Sequence, residues 1–320
     1  MGIRKSIRLW REHKADVAQT KQIQRNGQVH LYHFWGIKPE EFWLYGYLQA
    51  SGLLTRTTKT IGIWSVFGDR RVIDKVSDDI NVFFTGENVH IDRHQSYADH
   101  MLTNPKIQLS MGFDCIDHPK YVRFPLWITY VFGDCYTYED VCKRCDKLRF
   151  PKIEKNKWVS VVASWDPSGV RAQIADVIGA VKKVDYAGKW RHNDDTLKHD
   201  FADNKIEYLK QYVFNICPEN SDSEGYVTEK LFEAIAAGCI PIYWGSNNDP
   251  EPGIINKEAI LFYEEDNGDA LQEKVERIVN DESYRKEFMN QPRLLSSAED
   301  RIWAMMSEVY NRMEQIICSK

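Results

Sequence analysis

The sequence predicts an α/β chain of two Rossmann-like halves, each a parallel sheet with crossover helices, facing one another across a cleft. Three observations predict it. Short apolar segments recur along the chain, and several end at a glycine. Helical stretches lie between them, the arrangement expected of parallel strands joined by crossovers. The alternation breaks near residue 146 and restarts at residue 158, within a chain of 320 residues. That length suits two domains of about 150 residues each.

The elements follow in order. VHLYHFWG (29–36) reads as an aromatic strand, and PEEFWLYGYLQAS as a helix whose proline suits the first turn. TIGIWSVFG (60–68), DDINVFFTGEN (78–88) and QLSMGFD (108–114) read as the next strands. DKLRFPKIEKNKW (146–158) is basic, holds one proline and has little periodicity, so it reads as a linker. The predicted domains are therefore residues 1–150 and 151–320. In the second, WVSVVAS (158–164), VDYAG (184–188), YVFNIC (212–217), CIPIYWG (239–245) and AILFYE (259–264) read as strands. Helices are predicted from Arg171 to Val181 and from Tyr226 to Ala237. Beyond Asp269 the chain reads as mainly helical. Ile302, Met305, Val309, Met313 and Ile316 form a core-facing stripe there.

Composition narrows the class. A net charge of −5 and a pI near 6.0 lack the basic field of a nucleic-acid binder. No apolar run reaches the roughly 18 residues a membrane span requires. MGIRKSIRLWREHKADVAQ carries no apolar signal-peptide region, so the expected compartment is a cytoplasm. The seven cysteines, odd in number and irregularly spaced, do not suggest a disulfide framework. Cys135, Cys142 and Cys145 include one CxxC. His90 and His94 have HxxxH spacing but lie far upstream. With no fourth zinc ligand in view, ordinary thiols are the expectation and no metal ligand is assigned.

Open parallel sheets bind ligands beyond the carboxyl ends of their strands. ENSDSEGYVTEKLFEAIAAGCIPIYWG (219–245) passes that filter, following one predicted strand and opening a helix. Free N–H groups and partial positive charge at a helix start suit a phosphate. Lys230 adds a full charge, Glu229 is a bidentate acceptor for a vicinal diol such as ribose, and Asn220 and Tyr226 offer directional hydrogen bonds. Arg171, following WDPSG, can grip a diphosphate with two parallel bonds. Read from physics alone, the same groups serve equally well as surface residues and turn formers. No GxxxxGK[ST] loop, GxGxxG fingerprint or D-x-D pair occurs in the chain.

That stretch closely resembles the signature of the α1,3/4-fucosyltransferases. FFTGENVHID and GFDCIDHPKYVRFPLW resemble the bacterial branch, and the likeness runs from about Val29 to Ala270. The resemblance implies a GT-B fold, with an acceptor-side domain first and a GDP-fucose-binding domain second. It implies GDP-β-L-fucose as donor and inversion at the anomeric carbon. Asn220, Tyr226, Glu229 and Lys230 match donor-binding positions, Glu229 at the ribose. Arg171 matches the arginine that meets the diphosphate with Lys230, and Glu87 matches the catalytic base. No cofactor is implied, a divalent metal being at most stimulatory. The expected acceptor is an oligosaccharide such as N-acetyllactosamine or lactose, and peripheral membrane contact is left open. The chain departs from the family pattern at Phe84, where tyrosine is common, and at Pro218, where an aromatic residue is usual. It also lacks the C-terminal heptads and basic tail of some relatives. On this reading Glu87 takes a proton from the acceptor, while Arg171, Lys230 and a helix start at Tyr226 stabilise departing GDP. Trp35, Phe42, Trp43 and Tyr97 are aromatic enough to stack on a sugar, with core packing the commoner role.

Overall fold

The computed structural model describes residues 3–76, 78–151 and 153–319. Lys152, within the predicted linker, lies outside them. The chain forms two compact units, one of Met1–Thr129 with Ala304–Lys320 and one of Tyr130–Trp303.

The first unit opens with a helix, α1 (Ile3–Ile23), that sequence reading passed over. Its polar residues obscure an apolar stripe, yet two of them tether it. His13 Nδ1 lies 2.7 Å from Asp69 Oδ2, and Asp16 accepts the Asp69 N–H at 3.1 Å. The sheet comprises β1 (Val29–Tyr32), β2 (Ile61–Trp64), β3 (Ile80–Phe84), β4 (Leu109–Gly112) and β5 (Tyr121–Arg123). Its order is β1-β2-β3-β4-β5, all parallel. The three-residue β5 was too short to register as a separate apolar run. Helix α2 (Trp43–Ala50) follows a 3-10 turn at Pro39–Glu41. The strands are shorter than predicted because their flanking residues already turn. His33, just past β1, sits at φ 55°. β1 to β4 are buried throughout, as a sheet covered on both faces must be.

Helix α3 (Leu126–Val131) leads to α4 (Tyr138–Arg149), which replaces the first part of the predicted linker. A capping box explains it. Thr137 Oγ1 accepts the Asp140 N–H at 3.2 Å, and Asp140 Oδ2 accepts the Thr137 N–H at 3.1 Å. Arg149 then bonds to Glu299 and to Leu295 O, tying α4 into the second unit. The compact units divide near residue 129, while the predicted domains divide between residues 150 and 151.

The second sheet comprises β6 (Lys157–Val161), β7 (Val184–Tyr186), β8 (Tyr212–Ile216), β9 (Ile240–Tyr243) and β10 (Leu261–Phe262). Between them run α5 (Val170–Gly179), α6 (Thr196–His199), α7 (Lys205–Leu209) and α8 (Glu229–Ala236). Then come α9 (Gly268–Asn280), α10 (Glu282–Met289) and α11 (Ala298–Cys318). All strands are parallel in the order β10-β9-β8-β6-β7, so the winding reverses between β6 and β8. Val159, Ile174, Phe214, Ile240, Leu271 and Val275 form the heart of its core. On α11, Ile302, Val309 and Met313 are buried as expected. Met306 and Ile317 are buried in place of Met305 and Ile316, while the positions between them fall as assigned. No helix among the described residues is long and apolar enough to cross a membrane.

Candidate functional site

The reversal between β6 and β8 is the place where an open parallel sheet leaves a crevice at its carboxyl edge. Five of the six residues singled out from sequence flank it. Arg171 lies in the first turn of α5, whose start is set by Asp166. That carboxylate accepts the N–H groups of Arg171 at 3.3 Å and Ala172 at 2.9 Å. Arg171 is only 3% exposed. It donates to Trp165 O in the loop after β6 and, at 3.3 Å, to Pro218 O in the loop after β8. Arg171 is thus a clasp across the switch point. Burial depresses its pKa, opposed by the charges of Asp166 and Glu219.

The loop after β8 centres on a residue that sequence reading left out, Glu219. Its carboxylate is 1% exposed. Oε1 accepts the Thr228 N–H at 2.7 Å, and Oε2 accepts the Thr228 hydroxyl at 2.7 Å and the Lys230 ammonium at 3.1 Å. Tyr243 adds a longer bond of 3.4 Å to Oε1. Lys230 Nζ also donates to Thr228 Oγ1 at 2.8 Å and stands 3.9 Å from Glu229 Oε1. Burial alone would lower the Lys230 pKa, but the carboxylates of Glu219 and Glu229 outweigh it and hold the ammonium above its ordinary value. Burial would likewise raise the Glu229 pKa, and Lys230 and Lys205 overcome it, keeping that carboxylate below its ordinary value. One turn on, Glu233 pairs with Lys205 at 2.5 Å.

This network moves the predicted helix start. α8 begins at Glu229 with Thr228 at its cap, not at Tyr226. Thr228 is extended (φ −109°, ψ −170°), and both of its polar groups bind the Glu219 carboxylate. Thr228 is therefore held outside the helix, and Val227, whose N–H donates to Gly225 O at 3.0 Å, packs before the helix rather than on it. Leu231 and Ile235 are buried and hold the helix against the sheet. Gly238 closes the helix, its N–H donating to Ile235 O at 2.9 Å. Asn220 is half-buried in the bend, and Tyr226 is buried. The intervening loop is fastened to the one after β9: Asp222 accepts the Asn247 N–H at 2.7 Å, and Ser246 Oγ the Gly225 N–H at 3.1 Å.

The sixth residue, Glu87, belongs to the first unit, just beyond β3. Thr85 Oγ1 accepts the Glu87 N–H at 3.0 Å and forms the turn. Gly86 leaves room there for Leu126, whose Cδ1 would lie 2.5 Å from a Cβ at that position. The Glu87 carboxylate is half-buried and accepts the Trp35 indole N–H at 3.2 Å. Nearby, burial holds the His94 imidazole below its ordinary pKa, partly offset by the charge of Glu87. Of the four aromatic candidates, Phe42, Trp43 and Tyr97 are core residues. Trp35 is 37% exposed. Phe84 is fully buried and packs edge-on against Trp35 and Trp43, so its phenyl ring serves the core.

A signal for Glu219 was present in the sequence: a carboxylate directly after a buried strand must find partners. Trp35 carried no such signal, since its partner lies 52 residues away. Burial pushes the Cys135 thiol up to about 11 and the Cys145 thiol to about 12, which suits unreactive thiols.

Two parallel α/β units, one with a charged switch point, define a GT-B-type chain. Crystal structures of an α1,3-fucosyltransferase share this fold. One has a TM-score of 0.57 at 18% identity over 91% of this chain and 90% of that one. Another, with GDP-fucose, has 0.54 at 19% over the same shares. Residues 151–307 match the C-terminal model of glycosyltransferase family 10 (fucosyltransferase), and residues 29–130 match the α-(1,3)-fucosyltransferase FucT N-terminal domain. The chain belongs to glycosyltransferase family 10. It is 29% identical over 209 residues to the α-(1,3)-fucosyltransferase FucT of Helicobacter pylori, covering 56% of this chain and 40% of that protein. It is 29% identical over 161 residues to GDP-fucose protein O-fucosyltransferase 3 of Gallus gallus, covering 43% and 33%. The chain thus spans less than half the length of these curated relatives.

Proposed function

We propose that the chain is an inverting fucosyltransferase that moves L-fucose from GDP-β-L-fucose to a hydroxyl of an oligosaccharide. The expected target is O3 or O4 of N-acetylglucosamine or glucose, in glycans such as N-acetyllactosamine or lactose. The carrying observation is the charged network at the β6/β8 switch point, in a chain of this family. There Lys230, fixed by Glu219 and Thr228, presents a cation beside the first N–H groups of α8. A diphosphate is the anion that such a pairing suits. Arg171 fixes the two loops and contributes its charge, and Glu229 serves the ribose diol. Asn220 and Tyr226 complete the donor contacts. In the reaction Glu87 accepts the proton of the acceptor hydroxyl as that oxygen attacks C1 of fucose. GDP departs from the opposite face, its growing charge met by Lys230, Arg171 and the helix start. GDP is a good leaving group, so neither a protein acid nor a metal is needed. The enzyme is expected to act in a bacterial cytoplasm, with at most peripheral membrane contact.

The test is a donor screen read by GDP or UDP release, followed by NMR of the product linkage on lactose, N-acetyllactosamine and type 1 acceptors. Transfer from GDP-fucose is expected. Transfer from a different nucleotide sugar alone would reassign the donor, and nucleotide binding without transfer from any donor would overturn the enzyme reading.

A further inference from the structure

His90, singled out for its spacing to His94, finds different partners in the fold. It lies on the loop after β3, three residues beyond Glu87, and its Nε2 stands 2.9 Å from Asp114 Oδ2 and 3.0 Å from Oδ1. Asp114 lies just beyond the neighbouring strand β4. A third group reaches the same carboxylate: His100 Nε2 is 2.5 Å from Asp114 Oδ2. The three donor atoms lie within 4.8 Å of one another, a group with metal-ligand character among the described residues.

We propose that His90, His100 and Asp114 form a site for a divalent transition metal of the zinc class, which fastens the Glu87-bearing loop to the exit of β4. Two imidazoles and a carboxylate are a zinc ligand set, leaving a fourth position for water. The site is built into the fold. His100 is 0% exposed, its Nδ1 has no partner, and its ring reaches the cluster through Nε2 alone. Its backbone is anchored by Ser110, whose hydroxyl donates to His100 O at 2.7 Å. The ring fits because residue 112 is glycine, where a Cβ would lie 2.7 Å from His100 Cε1. Asp114 is mostly buried, with 17% of its side chain exposed. His90 at 46% leaves an entry path from solvent. Zinc bonds of about 2.0–2.2 Å place neighbouring tetrahedral ligands about 3.3–3.5 Å apart. The carboxylate stands 2.5 Å from His100 and 2.9 Å from His90, and these two separations need to open by about 1 Å or less, through a shift of the partly exposed Asp114 carboxylate and of the exposed His90. Nothing in this site depends on Glu87 being the base.

The test uses the full chain, stripped with chelator and titrated with Co²⁺ without nucleotide. The expected result is about one ion per chain, with visible d–d bands of four-coordinate nitrogen and oxygen ligation and no thiolate charge-transfer band. His90→Ala, the variant least able to disturb the core, should weaken binding by at least about tenfold, the size that even an outer-shell partner carries. Asp114→Asn should do the same, with folding checked by circular dichroism, and Cys142→Ser should bind as wild type does. No saturable binding, unchanged affinity in His90→Ala, or a thiolate band lost in Cys142→Ser would each overturn the site, leaving a hydrogen-bonded cluster.

Discussion

The loops after β3 and β8 both follow buried strands, and both present a glutamate, yet they hold it in opposite ways. Glu87 is half-buried and receives one side-chain hydrogen bond, from Trp35. Glu219 is sealed from solvent and takes two bonds from Thr228, one from Lys230 and a long one from Tyr243. The sheets differ correspondingly. β3 sits in a sheet wound in simple sequence, whereas β8 borders the reversal. A proposed base must exchange a proton with a ligand, so its carboxylate is left accessible. A cation grip must present one charge in one place, so its partner is over-determined. Local burial follows the task of the group.

That contrast can be broken at either loop. The largest expected effect is Glu87→Gln, with kcat falling by on the order of 10²–10⁴, the usual worth of a general base. Substantial remaining kcat in steady-state assays would end the assignment. Next is Glu219→Ala, which leaves the Lys230 charge without its main partner. A loss of roughly 3–5 kcal/mol of stability is expected in urea unfolding. A loss below about 1 kcal/mol would mean the network is slack. Trp35→Phe removes the indole donor and keeps the ring. It should lower kcat by about fivefold, or about 1 kcal/mol, without changing GDP affinity, and a change confined to KM would make Trp35 only an acceptor platform.

The smallest effect is on pH dependence. Burial keeps the His94 pKa below 6.5, so its contribution to stability is present above that value and lost as pH falls through the folded-state pKa. The lowered Glu229 pKa contributes in a lower window, beginning beneath 4.5. Unfolding of His94→Gln followed from about pH 7 to about pH 5, around that histidine value, should show a shallower slope than wild type. An identical slope would show that His94 does not supply it.

Much of this was legible in sequence because it rests on local pattern. Short apolar runs, several of them ending in glycine, marked nine of the ten strands, and the stretch from Glu219 to Gly245 marked the switch-point loop. What stayed hidden depends on distant partners. The start of α8 moved to Glu229 because Thr228 answers to a carboxylate nine residues back. The Trp35–Glu87 bond spans 52 residues, and the meeting of His90, His100 and Asp114 depends on the pairing of β3 with β4. Helix α4 was missed although its Thr137/Asp140 box was present, because the basic, proline-containing segment behind it looked like a linker.

The central claim is that the switch point of the second unit grips the nucleotide while Glu87 acts only in chemistry. Calorimetric titration of GDP into wild type, Glu87→Gln and Lys230→Ala tests it most directly. The account predicts equal affinity, within a few-fold, for wild type and Glu87→Gln. It predicts a loss of roughly 1.5–3 kcal/mol, about 10- to 150-fold, for Lys230→Ala. A Lys230→Ala dissociation constant equal to that of wild type would contradict it.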